Sequence, residues 1–229
     1  MIESTGVASL TVVEGGTILD AQSGAVNMGI DIEAFAEVFD GERWVVGEPL
    51  VEYEYYGPED EPPVSRLRPR GLYESRNRAL FAILADAVRW AHSEQPYEPI
   101  APCRGLPGDV SPEVLDFERS WHEDNFGHSW LGLEELIRFD WKGRIIQKTA
   151  MVDPEAAPLF EGNPLGFPYH GWPEGRQISY AEASRSGVRV RWRETYEESA
   201  GRFFLEGVLT KLQSFGPPGS VRIVFWFNA

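Results

Sequence analysis

The sequence predicts an α+β fold: a single domain built on a mostly antiparallel sheet with three to four helices packed on it. Two kinds of periodicity carry this prediction. Apolar residues alternate with a period of two in several short segments, and recur at three- and four-residue spacings in two others. The order of these segments, strand-strand-helix-helix-strand-strand-helix-strand, clusters the strands instead of alternating each with a helix, which favours antiparallel pairing. A length of 229 residues lies at the upper end of what one core supports.

The elements follow in order. Ile30, Ile32, Ala34 and Ala36 alternate with Asp31, Glu33, Phe35 and Glu37, the period of a strand. Asp40-Gly41 is a hairpin turn signal, and Glu42 to Val46 returns as a second strand. Residues 57–71 carry Gly57, Pro58, Pro62, Pro63, Pro69 and Gly71 and read as a long exposed loop. From Arg76 to Ala91, Leu80, Ile83, Leu84, Ala87, Val88 and Ala91 share one face, predicting a core helix. The proline-rich stretch from Pro96 to Asp109 is a constrained loop. Ser111-Pro112-Glu113 then places an N-cap and a first-turn proline before a helix running to Trp121.

A short helix is expected from Leu133 to Phe139 and a strand from Arg144 to Val152, followed by a loop over residues 153–177. Val188, Val190 and Trp192 alternate with Arg189, Arg191 and Arg193, a half-buried strand with a basic outer face. Phe204, Leu205, Val208, Leu209 and Leu212 form the stripe of a helix from Glu197 to Phe215, stopped by Gly216-Pro217-Pro218-Gly219. Val221 to Phe227 is apolar enough for an interior strand. Residues 1–27, with short alternations such as Leu10-Thr11-Val12-Val13, can form a hairpin or a loose arm.

Composition narrows the function classes. Eight Trp, eight Tyr and 13 Phe promise a packed core and exclude a disordered chain. A net charge of −15 repels phosphate backbones, so direct nucleic-acid binding is not expected. Cys103 is the only cysteine, which excludes an intrachain disulfide or a multi-cysteine metal site and fits a reducing cytoplasm. No stretch has the roughly 18 apolar residues a membrane span requires, and the N-terminus lacks a basic secretory leader. The histidines His92, His122, His128 and His170 show no paired zinc spacing, and the P-loop, dinucleotide-turn and nucleophile-elbow patterns are absent.

Four ordered segments carry a resemblance: Met28-Gly29-Ile30-Asp31-Ile32-Glu33; Arg76 to Ala85; Arg104-Gly105-Leu106-Pro107 with His128-Ser129-Trp130-Leu131; and Val221 to Phe227. Together they resemble a family of uncharacterised proteins of bacteriophages and bacteria whose members typically begin at the position of Met28. The resemblance implies a phage or prophage-like origin and one compact domain over residues 28–229, with residues 1–27 as an N-terminal extension. It transfers no reaction. The family usually reads Met-Gly-x-Asp-Ile-His, and Glu33 stands in the histidine place here.

The polar residues of these segments are the candidates for chemistry. Asp31 and Glu33 project from the same strand face, where two carboxylates can act as acid and base or hold Mg²⁺ or Mn²⁺, or simply form a solvated face. Arg76 and Asn77 open the core helix and either orient an anion or tie down the preceding loop. Arg104, in its rigid loop, either presents a guanidinium to a carboxylate or phosphate or clamps that loop. His128, expected in a loop between two helices, is the candidate base, histidine being the side-chain type suited to acid/base and ligand roles near neutral pH; Ser129 and Trp130 beside it are candidate ligand contacts or a cap and an anchor.

Three functions are compatible with these features. The first is a phage-type interaction protein acting on a host or phage protein through aromatic anchors. A second is an enzyme or sequestering protein for a small phosphorylated or nucleotide-like anionic ligand, using the Asp31, Glu33, Arg76, Arg104 and His128 cluster. The last is an acidic mimic of nucleic acid.

Overall fold

A computed structural model describes residues 30–55, 62–73, 75–86, 93–120, 125–180 and 187–228. The elements are β1 (Asp31–Phe39), β2 (Trp44–Val46), β3 (Leu50–Tyr55), β4 (Val64–Pro69), α1 (Arg78–Leu84), α2 (Pro112–Ser120), β5 (Asn125–Gly132), α3 (Leu133–Arg138), β6 (Ile145–Val152), β7 (Ile178–Ser179), β8 (Val188–Thr195), α4 (Tyr196–Ala200), α5 (Leu209–Ser214) and β9 (Val221–Asn228). The fold is α+β. Among the described residues, the strands fall into three antiparallel sheets, ordered β2-β1-β9-β5, β3-β4 and β7-β6-β8.

β9 is the spine of the central sheet, paired along its length to β1 on one side and β5 on the other. Every residue from Val221 to Phe227 is buried, as an apolar run covered on both faces requires. On one face, Ile32, Ala34, Ala36, Ile223, Phe225 and Phe227 join α1, α3 and the segment around Phe204 and Leu212 in the main core. The opposite face packs Phe35, Val224 and Trp226 against Val114 and Phe117 of α2. The β3–β4 hairpin adds to that second layer, with the Tyr53 ring edge-on to Phe117 at 5.6 Å. A smaller core around Trp192 and Phe160 lies under β6 and β8, where Val190 and Trp192 are buried while Arg189, Arg191 and Arg193 are exposed.

Local chemistry explains the ends of elements. Asp40 Oδ1 accepts the amides of Glu42 and Arg43, closing the β1–β2 turn with Gly41 at φ 108°. The same amides, Arg43's foremost, hold the Asp40 carboxyl below the usual aspartate range. Asn77 Oδ1 caps α1 through the Leu80 amide, so the helix starts at Arg78 and not at Arg76. At its other end the Ile83 carbonyl accepts the Ile100 amide and Ala85 is extended, so the chain leaves the helix there. The expected helical positions Ala87, Val88 and Ala91 lie outside the described residues, as do residues 1–29.

Other differences have equally local causes. The expected helix from Glu197 to Phe215 is divided by Gly201, whose φ of 80° ends α4; a π-helical turn, Phe203–Val208, then leads into α5. Residues expected as loop form β4, where Tyr53 and Tyr55 pair with Arg66 and Val64. His128, expected between helices, lies in strand β5, beside a bulge that the positive φ of Gly127 permits. Ser111 does precede α2, but its hydroxyl has no hydrogen-bond partner; its amide is taken instead by Glu37.

Candidate functional site

The pairing register determines which side chains share the α2 face of the central sheet. Asp31 stands opposite Asn228, which stands opposite Asn125; one pair along, Glu33 stands opposite Trp226. Directly opposed residues project to the same face, so these polar groups form two short rows across β1, β9 and β5. His128 joins the second row by its ring, stacked on Trp226 with centroids 5.8 Å apart and planes 30° apart.

Over the end of this face the β3–β4 hairpin and α2 close a cavity of about 250 Å³, lined by Glu33, Tyr53, Arg68, Phe117, Asn125, Trp226 and Asn228. The sheet supplies the floor, Phe117 of α2 a wall, and Tyr53 and Arg68 of the hairpin the roof. Tyr53 Oη is 3.3 Å from Ser120 Oγ, which anchors the roof to α2. The Arg68 guanidinium lies 5.3 Å from the centre of the Phe117 ring. Its Nη1 is 3.7 Å from Glu33 Oε2, beyond a hydrogen bond, and both side chains keep about 30% of their exposure, at 32% and 27%.

The cavity concentrates unmet hydrogen-bonding capacity. Among the described residues, the buried side-chain polar atoms with no partner are Arg68 Nε, Ser111 Oγ and Asn125 Nδ2, and two of these belong to the cavity lining. A buried N–H without an acceptor is destabilising by about 1–3 kcal/mol. Both of these groups are donors. The lining combines them with one carboxylate and aromatic edges, a set suited to holding a small polar molecule. Among the described residues, the lining contains no Ser, Thr or Cys nucleophile.

The residues nominated from sequence divide into three groups. Glu33 lines the cavity. Asp31 lies beside it on the same face, but its carboxylate makes a two-point ion pair with Arg76, at 2.5 and 2.7 Å, at an exposed rim. That bond raises the Arg76 pKa. His128 backs the cavity through Trp226, with Nε2 3.0 Å from Glu118 Oε1 on α2. Glu33 and His128 are therefore two strands apart, about 10 Å by the spacing of strands, with the Trp226 ring between them.

The remaining nominees hold the scaffold together. Asn77 caps α1 and donates to the carbonyls of Ser199 and Ala200, tying α1 to α4. Arg104 forks onto both Glu135 oxygens at 2.9 and 2.6 Å, donates to the Trp130 carbonyl and lies over the Trp130 ring. Ser129 is fully buried and accepts the Arg104 amide. Through the Arg104 hydrogen bond first, the Glu135 carboxyl is held below the usual range. As for metals, no group of three or more His, Cys, Asp or Glu side chains suited to an ion occurs among the described residues. Nor is any helix among them long and apolar enough to cross a membrane.

Sequence reasoning missed Tyr53, Arg68, Phe117, Asn125, Trp226 and Asn228 as site residues. One signal was available: Val51, Tyr53 and Tyr55 alternate with Glu52 and Glu54, and Arg66 and Arg68 with Ser65 and Leu67. No family model, curated protein or solved structure matches the chain.

Proposed function

We propose that this protein binds and holds a small polar ligand bearing a carboxylate or phosphate, in the cavity between the β3–β4 hairpin and the central sheet. The observation that carries this reading is the pair of buried, acceptor-less donors, Arg68 Nε and Asn125 Nδ2, on the lining of one cavity. An oxyanion satisfies both and is the stronger acceptor, since charge-assisted hydrogen bonds are roughly twice as strong as neutral ones. Asp31 and Arg76 mark the rim of this site, and His128 with Glu118 stiffens its floor.

Holding is favoured over covalent chemistry by the described lining residues, among which no nucleophile is paired with a base. A ligand at about 100 times its Kd stabilises the folded state by about 2.7 kcal/mol. For a chain of this size that is a Tm rise of roughly 5–10 °C. The test is thermal unfolding against small carboxylates, inorganic phosphate and mononucleotides. At least one compound is expected to give a saturable rise that Arg68→Met removes. A flat response to all of them, or an undiminished response in Arg68→Met, would end this reading.

A further inference from the structure

The charge on the cavity wall separates one kind of oxyanion from the other. Among the described lining residues one guanidinium, Arg68, faces one carboxylate, Glu33, at 3.7 Å, in a protein of net charge −15. Glu33 is engaged within the protein, so it acts on an incoming anion through its charge and not as a contact. A phosphate monoester carries about −1.5 to −2 at neutral pH, against one charge for a carboxylate. With a single guanidinium to offset it, the extra charge is repelled, and the carboxylate is favoured. The protein already holds a carboxylate on the matching edge of another arginine: Asp31 accepts from Nε and Nη2 of Arg76 at 2.5 and 2.7 Å. In Arg68 it is the Nε of that edge that has no acceptor.

Resting on the cavity as a ligand site, we propose that its occupant is a monocarboxylic acid carrying a single aromatic ring. Its carboxylate accepts from Arg68 Nε and Asn125 Nδ2, one donor to each oxygen. Its ring lies against the aromatic part of the wall. Tyr53 stands edge-on to Phe117 at 5.6 Å, Phe117 is tilted against Trp226 at 6.2 Å, and Trp226 stacks on His128. A further ring extends this row, and each such pair strengthens binding about two- to tenfold beyond the burial of its area. A stiff ring also has fewer rotamers to lose on binding than an alkyl chain of equal volume. Size agrees: a cavity of about 250 Å³ has the volume of about eight waters in the liquid, at ~30 Å³ each. That is room for one ring and a short acid arm, and too little for a nucleotide.

The test uses the full chain with benzoate, phenylacetate and phenylpropionate, read by thermal shift and then by calorimetry. Parallel arms are hexanoate and cyclohexanecarboxylate, phenyl phosphate, inorganic phosphate and mononucleotides. At least one aryl acid is expected to bind saturably, with the alkyl acids at least about twofold weaker, the lower end of one ring contact. Phenyl phosphate should be weaker than the best aryl acid, and Glu33→Gln should narrow that gap by removing the repelling charge. Tyr53→Leu keeps an apolar roof and should weaken the aryl acid about two- to tenfold more than the alkyl acids. An unchanged circular dichroism spectrum shows that each variant is folded; the wild-type comparison of aryl with alkyl acid decides the ring if Tyr53→Leu is not.

Three results overturn the aryl acid and leave the cavity reading standing: a phosphate or nucleotide binding as tightly as any aryl acid, an alkyl acid doing so, or Glu33→Gln leaving the gap between phenyl phosphate and the aryl acid unchanged. If no compound in any arm binds the folded wild-type chain, both fail together.

Discussion

Glu37 and Glu33 project from the same face of β1, and each meets an arginine, but the two pairs are built differently. Glu37 is fully buried. Its Oε1 accepts the Ser111 amide at 2.6 Å and its Oε2 the Arg222 Nε at 2.7 Å, while Arg222 reaches on to the Asp109 carboxylate and carbonyl. Arg222 also lies over the Trp44 ring at 4.0 Å and near Trp130 at 5.7 Å. Glu33 and Arg68 stand 3.7 Å apart, partly exposed, with Arg68 Nε unmet. Two turns of the pleat separate a closed, buried charge network, which fixes the N-terminus of α2 to the sheet, from a partly exposed pair beside a cavity. Satisfied polar groups hold the scaffold together; the two unmet donors on the cavity lining, Arg68 Nε and Asn125 Nδ2, are the observation on which the proposed ligand site rests.

Breaking the closed network should have the largest effect. Glu37→Gln leaves the Arg222 guanidinium in the interior with only Asp109 to balance it, and removing one member of a buried pair is destabilising by about 3–5 kcal/mol. Urea denaturation should show a loss of about 3 kcal/mol or more. A loss below about 1 kcal/mol, the range of surface pairs, would abolish the contrast.

The partly exposed pair should respond differently. Glu33→Gln should change stability by less than about 1 kcal/mol, as partly exposed ion pairs do. Arg68→Met keeps a long side chain against Phe117 and removes an unmet donor, so it should be neutral or slightly stabilising. If Arg68→Met instead matches Glu37→Gln in its cost, Arg68 is a structural residue and the cavity loses its main argument.

The contrast was only half legible in the sequence. Alternation placed Asp31, Glu33 and Glu37 on one face of β1, and the apolar run from Val221 to Phe227 identified β9 as interior; both follow from period-two geometry. What made Glu37 a scaffold residue and Glu33 a cavity residue is the identity of the groups across the sheet and above it, which depends on register and on the β3–β4 hairpin. Proline content concealed that hairpin, because Pro62, Pro63 and Pro69 outweighed the alternation of Arg66 and Arg68. Arg76 and Arg104 were nominated as ligand-binding guanidiniums, and they are engaged by Asp31 and Glu135; the guanidinium over the cavity is Arg68. Sequence gives the type of a charge. Its partner, at a separation such as the 185 residues between Glu37 and Arg222, is a property of the fold.

The smallest expected effect is on acid stability, and it tests whether the closed network reaches its exposed member. The Arg222 hydrogen bond, foremost, holds the Asp109 carboxyl below its ordinary value of 3.8. A carboxylate with a depressed folded-state pKa stabilises the fold above its unfolded value, and that contribution is lost as pH falls through the folded one. The Asp109 side chain is 66% exposed, so solvent screens most of the interaction. The difference in urea midpoint between wild type and Asp109→Asn should therefore be small, constant from about pH 5 to 8, and should shrink below about pH 4. A difference that persists undiminished to about pH 2 would mean that ionisation of Asp109 contributes nothing, and that Asp109 serves the network through its carbonyl, 3.1 Å from Arg222 Nη2.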